Sequence, residues 1–566
     1  MKVITEFKER NIWSALAVYL GGGWVVIEAL NFITEKYNWP DVIIDIIILL
    51  VFFGLPSILI HTWYHGKRGK QKFLKRELII HGVNAIIFLT LAVRILATGD
   101  IAPRIDINAE HSIAVLPFKN YSSDQENQFF ADGVIEAVRN HLGKVNNLWV
   151  TSGNSTEHYR NSSKTGFEIA AELGVSFMLT GSIQRFENKI RISVELSDAK
   201  QHKQIWTEVF DRQYEDVFEL QSDIAIQIAT KLDMKLSEQE TSMITKKYTD
   251  NLDAYVLYLE GQSMLRSEGR TYENIENAAE IFKQAIALDP NFSLAYVGLA
   301  NIYLSHIMWG RVYPKEIIPL ALETIMKAME IDNTMGESYQ ILGLIKLYQL
   351  DFEKANAYFE KAIELSPNHS ESYIWQANLF MFNNKVPEAI EMFDKAISLD
   401  PGAVNYRFHK SQIYYLYRDY ESGINELESN PEFINDSEIQ WMLGNLYYGK
   451  GEIEKSIKTY QNRPKGENNW ALGFVYGIAG EIDSAKKVLN RLLVKRENEY
   501  VPGYVISCIY LGLGEKEEAI KWIEKAYEDG PDLLFIYGIL NDPRMDSIAD
   551  HPAIIKLREK IKFSKS

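Results

Sequence analysis

Two sets of side chains in this sequence are of types that could do chemistry. The first is four aspartates, Asp124, Asp132, Asp211 and Asp216. Carboxylates on either side of a substrate can act as general acid and general base. The second is a series of amides and aromatic rings further along: Asn301, Gln340, Asn378, Gln412 and Asn445, with Phe408, Trp441 and Trp470. Amides both donate and accept along an extended peptide backbone, and rings supply apolar anchors. The aspartates read more simply as local structure. Asp124 stands where a helix N-cap would, with Asn127 and Gln128 in the first turn, and Asp211 can pair with Arg212 at a strand end. Ser182 has no histidine motif nearby, and the 11 histidines are scattered with no HExxH. Gly512-Leu513-Gly514 falls in an interhelical turn, not after a strand, so it is no dinucleotide loop. The single cysteine, Cys508, excludes an intrachain disulfide and any CxxC metal site. The expected chemistry is binding, with no catalytic residue, metal or cofactor.

Amides and rings act together only if a scaffold holds them in register, and the sequence carries a repeat that does so. Ala355, Phe359, Ala362 and Pro367 return as Ala389, Phe393, Ala396 and Pro401, each 34 positions on. Small residues stand where two helices touch, and Pro where the second helix stops. An earlier unit ends Ala278, Phe282, Ala285, Pro290. The next opens at Ala295, Leu299 and Tyr303, with an insertion around Trp309 to Pro314. Weaker units follow at Leu443-Gly444 with Tyr447 and at Leu472-Gly473 with Tyr476, and a last one has Ala519, Ile523, Ala526 and Pro531. The pattern resembles the tetratricopeptide repeat. It implies about eight helical hairpins over 250–532, an all-α superhelix, with 533–566 as a capping segment.

In such repeats the first helix of each hairpin lines an inner groove. Its fifth positions here are Val297, Gln340, Ile374, Phe408, Trp441 and Trp470, and its ninth are Asn301, Leu344, Asn378, Gln412, Asn445 and Phe474. The expected partner-binding groove is therefore Asn301, Gln340, Asn378, Phe408, Gln412, Trp441, Asn445 and Trp470. The expected occupant is a protein or an extended peptide. No Lys or Arg stands at these positions, so a carboxylate clamp is not expected from the repeats.

A different pattern fills 105–237. Ser112–Leu116 is a short apolar run closed by Pro117, and Leu148–Thr151 is a second strand candidate. Helical spacing covers 124–142 and 166–173. Phe177–Arg185 and Lys189–Leu196 form a hairpin across Glu187-Asn188, where Asn tolerates a positive φ. A strand over 204–210 and a helix from Val217 to about Leu236 complete a small α/β (α+β) sandwich of order βαβαβββα. Ser112-Ile-Ala-Val-Leu-Pro-Phe118, Asp132-Gly133, Leu173-Gly174-Val175, Gly181-Ser182, Asp198-Ala199, Trp206 and Asp211-Arg212 resemble the TolB-amino-terminal-like (FlgO-like) domain. In that family the domain often stands between a cyclase or winged-helix output domain and a repeat array.

Three apolar stretches, about 12–32, 42–63 and 78–97, are each long enough for a membrane span of roughly 20 residues. Phe7-Lys8 with Arg10-Asn11, and Phe53-Gly54-Leu55-Pro56, resemble the membrane prefix of the same family. Basic residues at Lys2, Lys8 and Arg10, and from Lys67 to Arg76, put the N-terminus and the second loop in the cytoplasm. Residues after about 100 are then expected in the periplasm of a bacterial inner-membrane protein in contact with the lipid bilayer. Glu28 is either a packing partner or a functional acid. Only about eleven residues precede the first stretch, so no cytoplasmic output domain is expected. The net charge of −16 argues against a nucleic-acid partner, and no small-molecule substrate is expected. The composite expectation is a multidomain chain: three transmembrane α-helices over 1–100, the α/β domain, and the tetratricopeptide superhelix. Its function would be that of a membrane-anchored interaction scaffold or envelope sensor. The alternatives are a signalling subunit acting through its spans, or an enzyme with an unrecognised site between domains.

Overall fold

The computed structural model describes scattered residues between 12 and 88, then 111–122, 128–266, 271–308, 310–431, 433–463 and 469–561. The chain forms two compact units, Met1–Ile105 and Asp106–Ser566.

In the first unit the described residues are helical. Polar groups there find partners within the protein: the Tyr19 hydroxyl donates to the Val51 carbonyl at 3.1 Å, and the Asn84 amide donates to Ser57 Oγ at 2.9 Å. Among the described residues no helix is long and apolar enough to cross a membrane. This corrects the three expected spans, and with them the inner-membrane placement, the cytoplasmic and periplasmic sides, and the bilayer contact. The physical reason is that an apolar run reports only a preference for a dry environment. A span further requires an unbroken helix of about 20 residues. Glu28 and the basic run from Lys67 to Arg76 lie outside the described residues.

The second unit begins with a six-stranded sheet in the order β3-β1-β4-β5-β6, with β2 also beside β4. The strands are β1 (Ser112–Val115), β2 (Lys119–Asn120), β3 (Trp149–Val150), β4 (Phe177–Phe186), β5 (Lys189–Asp198) and β6 (Lys203–Gln213). β1 runs parallel to both neighbours and is buried throughout, as a continuous apolar run requires. β5 is antiparallel to both of its neighbours and alternates, with Ile190, Ile192, Val194 and Leu196 inward. Helices α1 (Gln128–Leu142) and α4 (Val217–Lys231) pack together over that inner face through Phe130, Val134, Val138, Ile224 and Ile228. Between them in sequence come α2 (Gly153–Glu157) and α3 (Gly166–Leu173). α3 is closed by a Thr165/Glu168 capping box and covers Ala114 and Met178. One turn differs from expectation. The positive φ of the β4–β5 hairpin falls on Glu187, at 52°, and not on Asn188.

From residue 252 the chain is helical. Among the described residues eight helix pairs follow one another, from 252–266 with 272–288 to 503–512 with 516–529. Their packing explains the repeat. Ala278, Ala355, Ala389 and Ala519 are fully buried at the helix contacts, beside Phe282, Phe359 and Phe393. A Cβ on Gly298, Gly343 or Gly444 would strike Phe282, Phe359 or Tyr460 at 2.8, 2.4 and 2.4 Å, so only glycine lets these rings in. The turn inside six of the pairs carries a left-handed residue at the matching place: Leu350, Asn384, Arg418, Gly451, Gly480 and Gly514. The α/β domain and the first two pairs share one apolar core, in which Leu259, Ala285, Phe292 and Ala295 join the residues of α1 and α4.

Candidate functional site

The first helices of several repeat pairs meet a segment of the same chain. After the last pair come a helix over Leu533–Asn541, a 3-10 turn over Pro543–Ile548 and a helix over Pro552–Ile561. Asp532 and Asp542 cap the first two of these by accepting backbone N–H bonds. The segment does more than end the stack. The Tyr537 hydroxyl donates to Asn378 Oδ1 at 2.8 Å, and Asn378 Nδ2 donates back to the Ile374 carbonyl at 2.9 Å. Asn445 Oδ1 accepts from the Tyr460 hydroxyl at 2.6 Å and from Arg544 Nη1 at 3.4 Å. The Arg544 guanidinium lies 4.8 Å from the centre of the Trp470 ring. Asp542 accepts from Arg544 Nη2 at 2.6 Å, from Tyr504 at 2.7 Å and from Tyr415 at 3.0 Å. Burial works to raise the Asp542 carboxyl, but Arg544 and these donors more than offset it and hold it below the ordinary carboxylate range.

The eight residues expected to line a groove therefore divide. Asn378, Asn445 and Trp470 are buried against the chain's own C-terminal segment. Phe408, Trp441 and Trp470 form a ladder with centroids 5.7 and 5.9 Å apart, and the first two are half-buried. Gln412 is buried, with its Oε1 without a hydrogen-bond partner among the described residues. Asn301 and Gln340 line a separate cavity of about 460 Å³ between the α/β domain and the first five helix pairs.

That cavity is walled on one side by the end of α1 and the segment after α4, and on the other by the array. Lys144 Nζ donates to the Met243 carbonyl and the Tyr248 hydroxyl, both at 3.0 Å. Burial, more than the nearby Lys246, pushes this ammonium down to about 8, against the pull of Glu337 and Asp332. Lys246 pairs with Asp332 at 2.7 Å. Asn368 fastens the two walls: its Nδ2 donates to the Gly143 and Leu148 carbonyls at 3.0 Å, and its Oδ1 accepts from the Val150 N–H at 3.2 Å. His141 is buried and its Nδ1 has no hydrogen-bond partner among the described residues; burial pushes it down to about 3.

The aspartates sit apart from both sites. Asp132 bonds to Gln128 and Arg160, each at 2.9 Å; burial raises its carboxyl and Arg160 opposes that. Asp211 is exposed and pairs across the strands with Arg191 at 2.7 Å, so its partner is not the adjacent Arg212, whose guanidinium reaches Asp223 at 3.7 Å. Asp216 stands at the start of α4 without a side-chain cap bond, and Asp124 lies outside the described residues. Tyr537 and Arg544 are not among the residues expected from the sequence, although the charges of Asp542-Pro543-Arg544 just after the apolar run Leu533–Leu540 were a signal. Nor are Lys144 and Asn368, whose role depends on contacts far along the chain and has no local signature.

Fold and packing define an array of tetratricopeptide repeats with an α/β domain built onto its first repeat. Tetratricopeptide models match residues 342–404 and 504–528, and the model for the HilA/YgeH-like transcriptional regulator, second domain, matches residues 109–227. A candidate adenylate cyclase 3 of Rhizobium meliloti (strain 1021) is 29% identical over 244 residues, covering 43% of this chain and 41% of that protein. The transcriptional regulator HilA of Salmonella typhimurium is 25% identical over 217 residues, covering 37% and 38%. The chain thus spans less than half the length of these relatives. Among solved structures, a human IFIT1 dimer with m7Gppp-AAAA is similar over 55% of this chain and 77% of its own, at 18% identity and a TM-score of 0.37.

Proposed function

We propose that this protein is a non-catalytic interaction scaffold that holds a protein or peptide on the inner face of its repeats. The observation that carries the proposal is the C-terminal segment. The inner amides and rings grip a stretch of polypeptide through Asn378, Asn445 and Trp470, which is the chemistry a partner peptide would use. The half-buried Phe408 and Trp441 continue that surface. Two relatives with unlike names, a cyclase and a transcriptional regulator, match stretches of similar length. That favours a binding role, not an output role, for what the three proteins share. In this reading the α/β domain is TolB-amino-terminal-like (FlgO-like) and serves as a second docking surface.

The test is proximity labelling from the C-terminus in cells, followed by quantitative binding of the purified partner to the full chain. Phe408→Ala and Trp441→Ala should each weaken binding by about thirtyfold, as the loss of an interface anchor does, while the melting temperature moves little. Trp470→Ala should instead lower stability by about 3–5 kcal/mol, because that ring is packed under Arg544. Unchanged binding in both of the first two variants would remove the inner face as the partner site.

A further inference from the structure

The cavity between the α/β domain and the first repeats holds two opposite charges that the protein leaves apart. Most of its charged lining already has partners. Arg139 bonds to Glu136, Lys246 pairs with Asp332, and the buried Asp400, with no cation in ion-pair reach among the described residues, is held by hydrogen bonds from Ser155 and Asn154. Glu371 is exposed. Lys144 and Glu337 remain. Both line the cavity and both are half-buried. Among the described residues neither has an oppositely charged group within the 4.0 Å of an ion pair. A lysine on a flexible stem ordinarily reaches a carboxylate that is near. Here its ammonium is tied by the Met243 carbonyl and the Tyr248 hydroxyl, which leaves its third N–H unused.

A second feature points the same way. Gln340 is 4% exposed, and its Nε2 has no hydrogen-bond partner among the described residues. A buried amide N–H without an acceptor is destabilising, and the deficit disappears if a ligand oxygen meets it. The cavity volume of about 460 Å³ falls within the range of pockets that hold small molecules. Tyr258 and Val297 add apolar wall. A simple anion would meet repulsion from Glu337, and a simple cation would meet it from Lys144. A molecule carrying both charges satisfies both residues.

We propose that this cavity binds a small zwitterion of the amino-acid class, with its carboxylate on Lys144 and Gln340 Nε2, its ammonium on Glu337, and its side chain against Tyr258 and Val297. Because Lys144 comes from the α/β domain and Glu337 and Gln340 from the array, the ligand ties the two together.

The experiment uses the full chain. Calorimetric titration and thermal melting are run with each standard L-amino acid and with a panel of unblocked dipeptides. Every probe is paired with its N-acetyl form, which lacks the ammonium, and its C-terminal amide, which lacks the carboxylate. At least one zwitterion should bind with a Kd below about 1 mM, and each blocked form should bind about tenfold more weakly or worse. Whether the free amino acid or the dipeptide binds more tightly identifies the source, and either supports the proposal. Lys144→Met and Glu337→Gln should each weaken the zwitterion by about tenfold or more, and Glu337→Gln should spare the N-acetyl form. Gln340→Met should weaken binding without lowering the melting temperature of the unliganded protein, since it removes an amide that has no partner. That separates loss of binding from loss of fold. The proposal is overturned if no zwitterion binds, if blocked forms bind equally well, or if Lys144→Met and Glu337→Gln bind as the parent does.

Discussion

Replacing Arg544 by methionine tests whether the C-terminal segment is locked into the array. The side chains of Arg544 and Asp542 are each 4% exposed, so the substitution strips a buried carboxylate of its cation. Breaking a buried pair on one side costs about 3–5 kcal/mol. Three acceptor contacts of Asp542 survive: Tyr504, Tyr415 and the backbone N–H of residue 544 at 2.9 Å. They place the cost at the lower part of that range. Methionine refills much of the guanidinium's volume but gives up its contact with Trp470, which adds about 0.5–2 kcal/mol. The expected deficit at about pH 7 is therefore about 3.5–6 kcal/mol. Its pH dependence is a second check. In the parent, Asp542 is held low, so its contribution is present above the unfolded carboxylate pKa and is lost as pH falls through the folded value. In the variant only those three hydrogen bonds still oppose burial, so the acid protonates more readily, and the deficit should shrink towards about pH 4.5. Urea denaturation at both pH values, with hydrogen exchange followed over Leu533–Ile548, reads both effects. A deficit below about 1 kcal/mol, or one that does not shrink on acidification, would refute the reasoning.

Gly444→Ala should cost about 1–3 kcal/mol in denaturation, because the new methyl would lie 2.4 Å from the Tyr460 ring; a neutral result would place that ring elsewhere. His141, pushed down to about 3 by burial, should make the protein acid-labile. The unfolded chain takes up that proton first, so stability should fall from about pH 6.5 downward by up to about 1.4 kcal/mol per pH unit, and His141→Gln should flatten the slope. Asn368→Ala should leave three backbone groups of the α/β domain without their partner, raising hydrogen exchange over residues 143–150 while exchange over 503–529 stays unchanged.

The repeats were legible because their signal is local. A 34-residue spacing of Ala, Phe, Ala and Pro records which side chain must be small or large where two adjacent helices touch, and that contact closes within one hairpin. The small sheet was legible for a similar reason. The buried run of β1 and the alternation of β5 report their own burial. The apolar N-terminal stretches were misread because hydropathy says nothing about what keeps a residue dry. Asp211 shows a milder form of the same limit. Its neighbour Arg212 was the partner suggested by adjacency, but strand register sets Arg191 directly opposite.

By itself the sequence determined a chain of tetratricopeptide hairpins behind a small mixed sheet, and the positions at which amides and rings recur along the first helix of each hairpin. Tertiary structure alone decided what those positions meet. Asn378 is held by a tyrosine 159 residues away and Asn445 by an arginine 99 residues away. Lys144 and Gln340 line one cavity, whose two walls are fastened by Asn368, 225 residues from its acceptor at Gly143. Periodicity encodes contacts between neighbours because their geometry repeats. It carries no record of a contact made once, between distant parts of the chain, when the superhelix folds back on its own end.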